Sequence, residues 1–178
     1  IVREALGLAA YVTGRYAEAL RELRTYRRMT DDYTHVAIEA DSERGLGRAE
    51  KALSFIAEIP MKRLDSEAQI ELALVTSGAR ADTGDSEGGL SVIEKIKAEN
   101  LSEELQARVE LIRADRYEEL GRDDEAAELR AKWEPIFTEE GEVEVYEEED
   151  DDEFVQSSDD AEDVSPEEEE TLGDDVND

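Results

Sequence analysis

The sequence predicts an all-α protein, an α-solenoid of about four helix-turn-helix hairpins followed by a disordered acidic tail. A short unit, glycine followed five positions later by a small residue, begins at Gly14, Gly47, Gly84 and Gly121, and these glycines lie 33, 37 and 37 residues apart. Apolar residues recur with helical spacing on both sides of each glycine. Repetition at this period is typical of stacked hairpins, because no single hairpin can bury its own apolar stripe.

Each glycine is expected to separate the two helices of a hairpin, since glycine readily adopts the left-handed backbone that ends a helix. The first hairpin is predicted at about residues 1–13 and 15–29, and the third helix at about 33–46. Its partner ends before Pro60, which a helix interior does not tolerate. The small residues that let paired helices lie close together are Ala19, Ala52, Gly89 and Ala126.

Two further helix starts are predicted from capping residues. Ser66 with Gln69, and Asn100 with Glu103, have the spacing of a capping box, in which two side chains satisfy free backbone N–H groups. We therefore expect the third hairpin to open at Ser66 and the fourth at Asn100.

Charge divides the chain at about residue 138. The total net charge is −31, and residues 139–178 contain 22 Asp and Glu with no Lys or Arg, which leaves −9 on residues 1–138. A run of like charges buries too little apolar surface to fold. We predict a helical repeat domain over 1–138 and a disordered acidic tail over 139–178. Because Ile1 already lies in a predicted helix, we expect the domain to be truncated at its N-terminus.

The repeat resembles the tetratricopeptide repeat (TPR) family, whose helix-turn-helix unit has the same Gly-x4-Ala core. The residues that fall on family consensus positions in the first copy are Leu6, Gly7, Gly14, Tyr16, Ala19 and Leu23. The fourth copy adds Tyr117 at the aromatic position of the first helix, where the other copies have Ala10, Glu43 and Arg80. Our hypothesis for its origin is a bacterial, actinobacterial branch of this family.

The resemblance implies that a partner protein binds in a groove lined by the first helix of each hairpin. The positions of this chain that would face the groove are Glu4, Leu8, Tyr11, Asp41, Arg44, Leu74, Asp82, Arg108 and Asp115. Family members that bind a C-terminal carboxylate have Lys and Asn on the groove face of the first repeat. This chain has Glu4 and Leu8 there, so the resemblance does not extend to that ligand.

A cluster of arginines on the second helix is another candidate site. Arg21, Arg24, Arg27 and Arg28 are spaced to share one side of that helix. They are interpreted in two ways. One is a solvated face partly paired through Glu18, and the other is an anion-binding face for an acidic partner or for the chain's own acidic tail.

The sequence contains little that could support catalysis. The chain has no cysteine, and its one histidine, His35, follows two aspartates at a predicted helix start, where we expect a capping or solvated role. It has no glycine-rich phosphate loop and no spaced set of metal ligands. We therefore predict no catalytic residue, no cofactor and no metal. The lack of cysteine is typical of a reducing compartment, and no apolar run reaches the length of a membrane span, so we expect a cytoplasmic protein without membrane contact.

Together these observations predict a non-catalytic scaffold or adaptor that binds another protein. The alternative is an escort for a basic client protein, in which the acidic tail imitates nucleic acid; an enzyme is third. Nucleic acid is not an expected partner, because a body of −9 with a tail of −22 repels phosphate.

Overall fold

The computed structural model describes residues 2–97 and 100–139. The helices, in chain order, are α1 (Val2–Val12), α2 (Tyr16–Thr30), α3 (Val36–Gly45), α4 (Ala49–Ala57), α5 (Ser66–Asp82), α6 (Ser86–Glu94), α7 (Glu103–Glu119), α8 (Asp123–Trp133) and α9 (Pro135–Glu139), with a short 3-10 helix at Met61–Arg63. These residues contain no strand, so the all-α class is confirmed for the part described. The predicted disordered tail lies outside it, apart from Glu139.

Every glycine of the repeat unit ends the first helix of a hairpin in the left-handed region. These residues are Gly14, Gly47, Gly84 and Gly121, with φ between 72° and 88°. At the first turn, the Gly14 N–H donates to the Tyr11 carbonyl at 2.9 Å and the Arg15 N–H donates to the Ala10 carbonyl at 2.8 Å. The same pair of bonds closes the other three turns, and it is the pair that caps a helix against a left-handed residue.

The small residue of each unit lies where the two helices of a hairpin approach each other. Ala19 and Ala52 are fully buried, and Ala126 is 3% exposed. At Gly89 an added Cβ would lie 2.8 Å from the Ser77 carbonyl oxygen of α5, so any larger residue would force α5 and α6 apart. The direct contacts of α1 with α2, α5 with α6 and α7 with α8 follow from this spacing.

Successive hairpins pack against one another. Helix α2 contacts α3, α4 contacts α5 and α6 contacts α7, while α5 also contacts both α3 and α7. One apolar cluster includes Val36, Leu64 and Leu72, and a second includes Leu74 and Ile93. Because Leu72 and Leu74 both belong to α5, this helix joins the two clusters.

Helix starts differ from the prediction at three places. Asp65, not Ser66, caps α5 by accepting the Ala68 N–H at 2.8 Å, and Ser102, not Asn100, caps α7. Asn100 is instead a left-handed residue with φ of 69°. Helix α3 begins at Val36, after residue 33, because the Asp32 carboxylate accepts the N–H and hydroxyl of Thr34 and holds that stretch in a turn.

The outer side of α1 is apolar and is not covered by any described residue. Val2 and Val12 are 81% and 79% exposed, and Leu6 between them is 39% exposed. Nevertheless, neither α1 nor any other described helix combines the length and the apolar character that a membrane crossing requires.

We expect Ala19→Asp to lower the free energy of unfolding by about 2–4 kcal/mol, because it places a carboxylate without a partner in a closed helix contact. The matched control is Ala17→Asp, since Ala17 is exposed on the same helix, and it should change stability by less than about 0.5 kcal/mol. Urea unfolding followed by far-UV circular dichroism measures both. Equal losses in the two variants would contradict the close contact at Ala19.

Candidate functional site

A groove of about 770 Å³ is lined mainly by α3, α5 and α7, the first helices of their hairpins. Ile38, Val75, Leu111 and Ile112 contribute apolar surface to it and are only partly buried. Each helix supplies residues three or four positions apart, which is the spacing that places side chains on one side of a helix. The groove therefore combines an apolar floor with access to solvent.

Five of the nine predicted groove residues line this groove, namely Tyr11, Asp41, Arg44, Leu74 and Arg108. The lining residues do not include Glu4, Leu8, Asp82 and Asp115. The Asp115 carboxylate accepts a hydrogen bond at 2.8 Å from Arg130 of α8, so it links the two helices of the last hairpin.

The Asp41 carboxylate connects α1 to α3 at the groove. The Tyr11 hydroxyl donates to Asp41 at 2.5 Å, and Arg44 donates to the other oxygen of the same carboxylate at 2.7 Å. Burial raises the pKa of Tyr11, and the hydrogen bond to Asp41 raises it further. The hydroxyl thus remains a protonated donor, and the trio fixes the position of α1 relative to α3.

Arginines form the corresponding links between the later first helices. Arg44 of α3 donates to Asp82 of α5 at 2.8 Å, and Gly78 leaves room for its guanidinium. Arg108 of α7 donates through both terminal nitrogens to the Glu71 carboxylate of α5. Both groove arginines therefore already have carboxylate partners. Through these bonds α3 is joined to α5, and α5 to α7.

The charged residues that line the groove carry more acid than base. The acids are Asp41, Asp65, Glu67 and Glu71, and the bases are Arg44 and Arg108. Glu67 is exposed and makes no ion pair with any residue in the described ranges. Asp65 caps α5, and neither acid has a basic partner among the described residues, so this end of the groove presents exposed carboxylates to a ligand.

The predicted anion-binding face is interrupted by buried carboxylates. Arg27 donates to Glu39 at 2.8 and 3.1 Å, and Arg24 donates to Glu43 at 2.5 Å. Glu39 and Glu43 of α3 are 1% and 0% exposed. Because an ionised carboxylate is very costly to bury alone, Arg24 and Arg27 act first as partners for these two residues.

The other two arginines of that face remain exposed. Arg21 contacts the Glu22 carboxylate at 3.0 Å, and Arg28 donates to the Arg24 carbonyl at 3.3 Å. The four arginines do lie on one helix, but only Arg21 and Arg28 present their charge mainly to solvent.

His35 connects the start of α3 to α1. Its Nε2 lies 2.8 Å from a Glu4 carboxylate oxygen, which joins α3 to α1, and its ring is tilted against Tyr26. It occupies the N-cap position of α3 but makes no side-chain capping bond there, and its side chain is only 15% exposed, so the predicted capping or solvated role is wrong. Within residues 2–97 and 100–139, no group of three or more His, Asp and Glu is suited to hold a metal ion.

Comparison of the chain with protein-family models, with curated proteins and with solved structures found no match. The groove presents apolar side chains along its floor and charged groups at its rim.

Several site residues were missed from the sequence, although signals for some of them were present. Glu71, Val75 and Gly78 have the spacing of one side of α5, and that pattern predicts a shared face. Glu39 and Glu43 are four residues apart and so lie on one side of α3. Arg24 and Arg27 are three residues apart and lie on one side of the preceding helix. Only the packing of α3 on α2 shows that these glutamates are buried.

We expect Arg24→Ala to lower the free energy of unfolding by about 3 kcal/mol, because it removes the closest partner of a buried carboxylate. Arg28→Ala on the same helix is the matched control, and it should cost less than about 1 kcal/mol, because Arg28 is exposed and donates to the Arg24 carbonyl rather than to a carboxylate. Thermal or urea unfolding at neutral pH compares them. Indistinguishable stabilities would show that Glu43 does not depend on Arg24.

The pH dependence of stability should report on Glu43. Burial alone would raise the pKa of Glu43, but the hydrogen bond and charge of Arg24, together with Lys51 and Arg48, outweigh burial and hold that pKa below its ordinary value of 4.5. A lowered native pKa stabilises the fold above the unfolded pKa, and the stabilisation is lost as pH falls through the native pKa.

Urea unfolding of the wild type and Glu43→Gln between about pH 7 and 3 tests this linkage. The difference in stability should be constant near neutral pH and should shrink in acid, where the wild-type carboxylate becomes protonated. A difference that does not vary with pH would mean that Glu43 is not the titrating group.

Proposed function

We propose that the hairpins form a TPR-type α-solenoid whose groove binds a segment of another protein, so that the chain acts as a non-catalytic scaffold or adaptor. The groove is the observation that carries this proposal. Its volume of about 770 Å³ lies in the range of ligand-binding clefts, and it has an apolar floor with charged groups at its margin. Such a surface can take apolar anchors of a partner while the rim stays hydrated.

The repeated turn supports the solenoid part of the proposal. All four hairpins use a left-handed glycine with the same two capping bonds. The first helices α3, α5 and α7 contact in sequence and share one groove. Stacked repeats use the surface along their first helices in this way when each repeat contacts only its neighbours.

A second candidate function is the escort of a basic client protein. The observation that favours it is the excess of 22 acidic residues, with no Lys or Arg, over residues 139–178. Such a charge density attracts basic proteins and raises their rate of encounter. In this role the acidic segment would bind the client protein. That segment lies almost wholly outside the described residues.

Site-specific photo-crosslinking in cells of the source organism tests the proposed function. A photoreactive amino acid replaces Val75 or Leu111 in the groove, and a matched variant carries it at Ala127, which is exposed on α8 away from the groove. We expect discrete protein adducts from the groove positions, identified by mass spectrometry, and none from Ala127. The same pattern at all three positions, or adducts at none, would contradict a binding groove.

Repeating the groove crosslink after removal of residues 140–178 separates the two candidates. An adduct that persists supports the scaffold or adaptor. Loss of the adduct, with helix content unchanged by circular dichroism, supports the escort.

A further inference from the structure

The pairing pattern of the groove constrains the charge of its ligand. Arg108 is held by Glu71, and Arg44 is held by both Asp41 and Asp82. An acidic segment that approached a groove arginine would meet the carboxylates already bound to it, and like charges at that distance repel. A basic segment would break no such bridge.

The start of α5 provides acids that a basic side chain could approach. Asp65 and Glu67 line the groove, are exposed, and form no ion pair with described residues. The half-buried side chains of Ile38, Val75 and Leu111 line the same groove. A ligand that matches this surface has aliphatic groups along one side and positive charge near Asp65 and Glu67.

We propose that the groove binds a basic amphipathic protein segment, with aliphatic side chains on Ile38, Val75 and Leu111 and Lys or Arg at Asp65 and Glu67. The inference rests on the proposed function and specifies its partner. Exposed ion pairs contribute modestly to affinity, so the acids select the sign of the ligand while the apolar floor supplies most of the binding energy. Charge complementarity of this kind determines specificity and association rate more than affinity.

Two synthetic peptides serve as probes. They share the same leucine positions, and one has lysine at every polar position where the other has glutamate. Each is titrated into the full chain with labelled Ile, Leu and Val methyl groups, and the methyl NMR signals report where binding occurs. We expect the lysine peptide to shift Ile38, Val75 and Leu111 in a saturable manner and the glutamate peptide to leave them unchanged.

A charge-removing variant, Asp65→Asn with Glu67→Gln, assigns the selectivity to the groove. Asparagine caps helices about as well as aspartate, so the variant should remain folded. Its affinity for the lysine peptide should fall about threefold to tenfold, as expected for two exposed ion pairs. The matched control, Asp123→Asn with Asp124→Asn, removes equal charge from the exposed start of α8, away from the groove, and should bind as the wild type does.

Three results would overturn the inference. Equal shifts of groove methyls by both peptides would remove the charge selectivity while leaving the proposed function intact. Shifts of the lysine peptide confined to methyls outside the groove, or an equal loss of affinity in both double variants, would show that only the overall charge attracts it. The proposed function itself fails separately, in the photo-crosslinking experiment.

Discussion

The left-handed glycine at the end of each first helix is the constraint on which the rest of the structure depends. It reverses the chain within a few residues and returns the second helix to the first, where a small residue such as Ala19 or Gly89 meets it closely. The same two backbone bonds close each turn. Repetition of that geometry lets α3, α5 and α7 pack in sequence and line a common groove.

The hairpins could be predicted because their determinants are close together in the sequence. A glycine and a small residue five positions later define each turn and each close contact, and four copies leave little ambiguity. The caps at Ser66 and Asn100 were less predictable, since neighbouring polar residues compete for one role and Asp65 and Ser102 have equally suitable side chains. The residue at which a helix begins therefore depends on which of two nearby polar residues caps it.

The groove could be predicted only in part. Positions shared with a known repeat family indicated Tyr11 and Arg44, but they did not indicate Val75 or Leu111, because an aliphatic residue on a helix is equally compatible with a core and with a groove floor. Glu39 and Glu43 could not be recognised as buried. Their burial depends on arginines of another helix, and polar residues at helical spacing ordinarily indicate a solvent-exposed face.

The charged contact between α2 and α3 also determines the order of the hairpins. Glu39 and Glu43 need the arginines of α2, whereas α4 has a single basic residue, Lys51, and the later contacts are mainly apolar. A tandem duplication of the second hairpin would therefore place two buried carboxylates against a helix that cannot neutralise them. Although its units share one turn, a hairpin duplicated at that joint would lack the α2 arginines that pair with Glu39 and Glu43. Its repeats are alike in backbone but not interchangeable.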